Sequence, residues 1–323
     1  MNLLKNKILL ILFVSISVFT SCDMEDDANA KKDTLNGLVS DNDDFDSLQK
    51  ALEVTDLSST LSGTETFTLF APTDTAFENF LAENNFATIE EVPTSVLRQI
   101  LLNHLVAGKI KQEDLPINAY INSQATGFAS NSANLSMYFR NVSGETEING
   151  IATVTNGNIY ASNGVIHKVN AVLKLPTIID HIIANPNLST LSTALESNDQ
   201  FDFIAELSSV NNGPYTMIAP MNTAFSSLLV ELDQPNLAAI GNSTLAQVLK
   251  YHFVITTNAF SSSLTDGTSI STYAGDSFSI QSTPANFRIV DINDRLSNIT
   301  TRDIQCYNGM IHMVDRVLLP NLD

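Results

Sequence analysis

Five histidines and two cysteines are the residues of this 323-residue chain whose types could do chemistry. His104 and His252 each close an apolar stripe at helical spacing, made by Leu97, Ile100 and Leu101 in one case and by Leu245, Val248 and Leu249 in the other. His167 and His312 each follow an Asn-Gly pair, Asn163-Gly164 and Asn308-Gly309, on a run that alternates as a strand does. Two imidazoles brought together would supply half of a metal site. A metal needs three or four donors, and no His-x-x-x-His, His-Glu-x-x-His or cysteine cluster completes the set. Two readings of His104 and His252 therefore stand side by side: a recognition patch, or core histidines that hydrogen-bond across the domain, since residues on an apolar stripe pack inward and the helix dipole favours a histidine near a C-terminus. Tyr251 is one position off its stripe and is expected to be exposed. His181 lies in an apolar helical segment without a counterpart elsewhere and is expected at a surface or an interface.

Catalysis has no other cast. No Gly-x-Ser-x-Gly elbow, phosphate-binding glycine loop, dinucleotide fingerprint or Cys-x-x-Cys is present, so the sequence is read as a non-enzyme with no cofactor and no metal. The run Asp41-Asn42-Asp43-Asp44-Phe45-Asp46 invites a calcium loop, but Phe45 stands at the third ligand position and the turn glycine is missing. Its charges suit a helix N-terminus instead. Asp and Glu total 35 against 16 Lys and Arg, a formal charge of -19, which repels nucleic acid and keeps an exposed protein soluble.

The elements that must position these residues come in two copies. The segment 67–77 (FTLFAPTDTAF) aligns with 215–225 (YTMIAPMNTAF), the stripe ending at His104 aligns with that ending at His252, and 163–169 (NGVIHKV) aligns with 308–314 (NGMIHMV). So long a repeat is a duplicated domain rather than a solenoid of small units. Each copy opens with an amphipathic helix, in the first case with Phe45, Leu48, Ala51 and Leu52 on one face. A short strand at 67–70 follows, broken by Pro72, after which Thr73 or Asp74, and Asn222 in the second copy, can cap a helix. Another helix runs over about 94–104. The rest alternates as strands, with each Asn-Gly pair expected to form a two-residue hairpin turn at positive backbone angles. Beyond the turn Val165, His167 and Val169 share one face, so the histidine points to the apolar side. Cys306 aligns with Ala161, and a small residue in both copies implies a packed position.

These blocks, in this order, resemble the fasciclin domain, with its Thr-x-Phe-Ala-Pro-Thr-Asp-x-Ala-Phe start, mid-domain Tyr-His pair and closing Asn-Gly-x-Ile-His block. The resemblance implies an α+β fold, two tandem domains that are each a wedge-shaped β-sandwich with packed α-helices, spanning residues 33–176 and 177–320. It also implies adhesion or ligand binding, with Tyr251 and His252 at the Tyr-His positions. Asn103 replaces the tyrosine before His104, and Met221 replaces the threonine of the first block. On this reading the second domain is the better binder, and Asn103 against Tyr251 marks where recognition diverges.

Residues 1–21 read as an export signal: Lys5 and Lys7 precede an apolar stretch at 8–19, and Thr20 and Ser21 stand before Cys22. The arrangement resembles a bacterial lipobox, with Phe19 where leucine is common, and implies lipidation of Cys22. Residues 22–32 form an acidic, polar tether, and its cluster Asp23-Met24-Glu25-Asp26-Asp27 resembles the surface-export signal of Bacteroidota lipoproteins. The resulting expectation is an outer-membrane, cell-surface, lipid-anchored interaction module that binds extracellular protein or polysaccharide and no nucleic acid. The alternatives are a periplasmic or secreted location, and a glycan-capturing accessory lipoprotein of an outer-membrane nutrient-uptake system.

Overall fold

The two copies fold into the same twelve elements in the same order. The first runs α1 (Leu35–Ser40), α2 (Asp46–Val54), α3 (Ser58–Ser62), β1 (Phe67–Pro72), α4 (Asp74–Glu83), α5 (Thr94–Leu102), β2 (Leu105–Ala107), β3 (Ala119–Gly127), β4 (Ser130–Val142), β5 (Glu145–Ile148), β6 (Ala152–Ala161) and β7 (Gly164–Val169). The second runs α6 (Ile178–Ala184), α7 (Ser189–Ser197), α8 (Phe203–Ser208), β8 (Tyr215–Pro220), α9 (Asn222–Glu231), α10 (Asn242–Tyr251), β9 (Phe253–Ile255), β10 (Ser269–Ser271), β11 (Ser277–Ser282), β12 (Phe287–Val290), β13 (Leu296–Cys306) and β14 (Gly309–Val314). The computed structural model describes residues 33–210, 213–283 and 287–322, which form one compact unit. The export signal, Cys22 and the acidic tether lie outside the described residues.

Each domain carries a seven-stranded sheet, ordered β2-β1-β7-β6-β5-β4-β3 in the first and β9-β8-β14-β13-β12-β11-β10 in the second. Among the described residues only β1 with β7, and β8 with β14, pair in parallel. Register shifts within β6 and β13 mark bulges that let the long strand change partners, so the sheet folds over on itself. One core lies between the helices and the β1/β7 face, where Phe45, Leu48, Ala51 and Leu52 are buried as their spacing predicts. A second core, with Phe70, Met137, Phe139 and Val169, fills the space between the two halves of the folded sheet. This is the expected α+β sandwich.

Thr73 caps α4 by accepting the Ala76 N–H, at 3.3 Å. Met221 occupies the same place before α9 and offers no side-chain cap, as the substitution implies. Asn222 is not the cap expected of it. Its Oδ1 accepts the Thr190 N–H at 2.9 Å, just as Asp74 Oδ1 accepts that of Ser47 at 2.7 Å, so this position ties one helix to the start of another.

Candidate functional site

The hairpins form, but not by the expected turn. Ala161 pairs with Gly164 and Cys306 with Gly309, so the turn residues are Ser162-Asn163 and Tyr307-Asn308, and the glycines are already in the strand. None of Asn163, Gly164, Asn308 and Gly309 adopts a positive φ. Glycine is required because the parallel neighbour comes so close: a Cβ on Gly164 would lie 2.3 Å from the Phe67 carbonyl oxygen, and one on Gly309 2.3 Å from that of Tyr215.

The asparagines are clamps. Asn163 Oδ1 accepts the Leu35 N–H at 2.8 Å, and its Nδ2 donates to the carbonyls of Leu61 and Gly63 at 2.8 and 2.9 Å. Asn308 repeats this with Ile178 N, Leu207 O and Ser209 O, at 3.0, 2.7 and 2.9 Å. One buried amide thus joins the first helix of the domain, the end of its third and the hairpin. All three partners are backbone groups, and the N–H and the first carbonyl of each set are buried, where a hydrogen bond matters most.

All five histidines are buried. His104 Nδ1 donates to Ile100 O at 2.7 Å, and its Nε2 accepts the Leu173 N–H at 2.9 Å. His252 does the same with Val248 O and Leu318 N. His167 Nε2 donates to Ile110 O and its Nδ1 accepts the Asn158 N–H, while His312 engages Ala259 O and Asp303 N in the same way. Both nitrogens of these four rings are therefore occupied by backbone, which leaves no lone pair for a metal. Burial lowers the pKa of His104 and His252 to about 4 despite the opposing carbonyl bonds, and it also lowers those of His167 and His312.

Tyr251 corrects an expectation of exposure, for it is fully buried. Its hydroxyl donates to Ser277 O at 2.9 Å and accepts the Ile292 N–H at 3.0 Å, and burial pushes its pKa up to about 12. Asn103, in the corresponding place, is equally buried and donates to the carbonyls of Leu173 and Lys174. The difference between the copies here is therefore two ways of pinning a helix end. None of Tyr251, His252 and His104 presents its side chain to a partner. Cys306 is buried among apolar neighbours, and the loss of solvation raises its thiol pKa well above the ordinary range.

His181 lies at an interface rather than at the surface. From α6 of the second domain it packs edge-on against Tyr120 of β3, with ring centroids 5.5 Å apart. Neither ring nitrogen has a hydrogen-bond partner of good geometry among the described residues, although the Ser136 backbone lies close enough to favour the charged ring slightly. Burial dominates and lowers the pKa to about 4. Around it the domains interlock. Tyr120 packs on the helix-side core of the second domain and its hydroxyl accepts from Asn185 Nδ2 at 3.0 Å, Ala129 N donates to Tyr307 O at 2.9 Å, and Gln305 N donates to Ser136 Oγ at 3.0 Å.

Beside this junction lies a cleft of about 620 Å³, walled by α4, Arg140 of β4, the β5–β6 turn, the segment leaving β7, and α6. A second depression of about 360 Å³ continues on the other side of Arg140, which lines both. Nothing in the sequence marked Arg140 or the exposed Ile151 and Ile183, because they belong to no motif and come together only through the docking of the two domains.

The described residues are thus a tandem pair of α+β domains built on one repeated scheme of buried asparagines and histidines. The fasciclin domain model matches residues 43–176 and 186–320, and the chain belongs to the fasciclin domain family. It is similar to human periostin, at 24% identity over 275 residues, covering 84% of this chain and 30% of periostin. It is also similar to fasciclin-1 of Schistocerca americana, at 24% over 276 residues, covering 79% and 39%. The chain therefore spans well under half the length of these relatives. Among solved structures it resembles a FAS1 domain pair from the insect cell adhesion molecule Fasciclin I, with a TM-score of 0.49 and 20% identity over 86% of this chain and 97% of that one.

Proposed function

We propose that this chain is a cell-surface interaction module, tethered through a lipid on Cys22, that binds extracellular protein or polysaccharide with the surface of its docked domain pair. The observation that carries the reading is the state of its reactive groups: four histidines are engaged at both nitrogens, the fifth is sealed in the domain interface, and the thiol of Cys306 is buried. What the molecule offers to a partner is shaped surface. The anchor in this reading rests on the lipobox-like Thr20-Ser21-Cys22 of the N-terminal segment.

The test is a binding screen of residues 33–323 against immobilised extracellular-matrix proteins and a glycan array, alongside metabolic labelling of the full chain with an alkyne fatty acid. Saturable binding to a member of either panel is expected, together with label that disappears in Cys22→Ser. Failure to bind on both panels would remove the interaction reading. Label that persists in the variant would remove the anchor.

A further inference from the structure

The fold leaves the groove beside the domain junction unfilled, and its lining has a particular chemistry. Arg140 is paired with Glu147 at 2.6 Å and Lys174 with Glu83 at 2.6 Å, so its cations are balanced on site. Asp180 stands on the α6 wall. Asn149 is buried in the opposite wall, where its Oδ1 accepts the Tyr138 N–H and its Nδ2 has no partner among the described residues. Between these polar groups Ile151 and Ile183, 49% and 59% exposed, face the opening from the two domains. Past Arg140 the second depression repeats the mixture, with Gln112 and Asn158 beside Ile117, itself 67% exposed.

We propose that this groove binds a neutral oligosaccharide, an inference that rests on the interaction reading above and names its ligand class. Sugar hydroxyls each donate and accept, and they match a wall where amide, guanidinium and carboxylate groups alternate. The C–H faces of the rings match isolated aliphatic side chains. The volume lies within the range of small-ligand sites, and a junction between domains is where such sites concentrate. A peptide fits less well. It would add to an open strand edge or drop a large anchor into an apolar pocket, but β4 is hydrogen-bonded on both sides, to β3 and β5, and the groove has no such pocket. An acidic polymer meets the -19 charge of the chain and the carboxylates already holding both cations.

The experiment is a glycan array of neutral and uronic-acid oligosaccharides, with an extracellular-matrix protein panel in parallel, probed with residues 33–323. Arg140→Ala and Ile183→Asp are compared with Val230→Ser, which lies outside the groove on the second domain and is 83% exposed. Each variant is first checked for an unchanged melting temperature. Because Ile183 is exposed, its substitution keeps the test open even if Arg140→Ala unfolds. Binding to neutral glycans is expected, weakened at least about tenfold by either groove variant, a change large enough to read on a titrated array, and unchanged by Val230→Ser. Glycan binding that ignores both folded groove variants, or that prefers acidic sugars, overturns the inference. Binding only to proteins overturns it and leaves the interaction reading standing, whereas no binding on either panel ends both.

Discussion

His104 Nε2 accepts the backbone N–H of Leu173 across 2.9 Å, and it can do so only as a neutral ring. His252 holds Leu318 in the same way, and His181 is buried at the domain interface with neither ring nitrogen in a hydrogen bond of good geometry among the described residues. Each of the three has its pKa lowered to about 4 by burial. In the unfolded chain they titrate near 6.5, so between about pH 6.5 and 4 the unfolded state binds more protons and stability rises with pH. Their contribution is complete above that window and is lost as pH falls through it. Urea unfolding between pH 7.5 and 4.5 should show a decline of up to about 1.4 kcal/mol per pH unit for each ring. A flat profile would mean that the rings are not held neutral.

His181 separates this effect from hydrogen bonding because it has no such bond to lose. His181→Phe keeps a flat ring against Tyr120 and removes one titrating group. The variant should fall within about 1.5 kcal/mol of the parent at pH 7.5, as shape-conserving apolar exchanges do. At pH 5 it should be the more stable of the two, with a pH slope shallower by about one proton. Parallel pH profiles for variant and parent would refute the assignment.

Much of this was legible in the sequence. The helix stripe ending at His104, the alternation that turns His167 inward and the duplication itself report local periodicity, which burial then enforces. What escaped was set by distant groups. Tyr251 is one step off its stripe, yet its hydroxyl finds Ser277 and Ile292 across the sheet, so the whole side chain is drawn inside. Asn163-Gly164 has the composition of a tight turn, but its glycine answers to the Phe67 carbonyl of a parallel neighbour that no local pattern reveals. The groove at Arg140 depends on the docking of a second domain, and neither repeat encodes that by itself.

The asparagine clamps make a matched pair of tests. Asn163→Ala removes the buried bonds to the Leu35 N–H and the Leu61 carbonyl and the half-buried one to Gly63, and Asn308→Ala removes their counterparts at Ile178, Leu207 and Ser209. Leaving a buried group unmet costs about 1–3 kcal/mol, and each variant leaves two, so a loss of roughly 2–5 kcal/mol is expected for either. Thermal and urea unfolding measure it. A loss below about 1 kcal/mol in both would show that the clamp contributes little to stability.

Cys306 should behave as an inert core residue. Its raised pKa and complete burial deny a reagent both the thiolate and a path. Ellman's reagent applied to residues 33–323 should find no reactive thiol in buffer and one in denaturing urea. Rapid labelling in buffer would contradict the packed position.

The domain interface is best tested where it is tightest. A Cβ on Gly127 would fall 2.7 Å from the Tyr307 carbonyl oxygen and 2.8 Å from its Cα, both parts of a backbone held by the hairpin of the second domain. The same tyrosine carbonyl accepts the Ala129 N–H, and its own N–H donates to Pro176 O at 2.7 Å, so it has little room to retreat. Gly127→Val should therefore push β3 and β4 away from β13 and expose Tyr120, while each domain keeps its own helix-side core. Calorimetry should then resolve two transitions where the parent shows a single cooperative one, and small-angle scattering should report a larger radius of gyration, because the Tyr120–Asn185 and Ser136–Gln305 contacts lie on the same seam and are lost with it. A single unshifted transition with unchanged dimensions would mean that the two domains are coupled by something other than this contact.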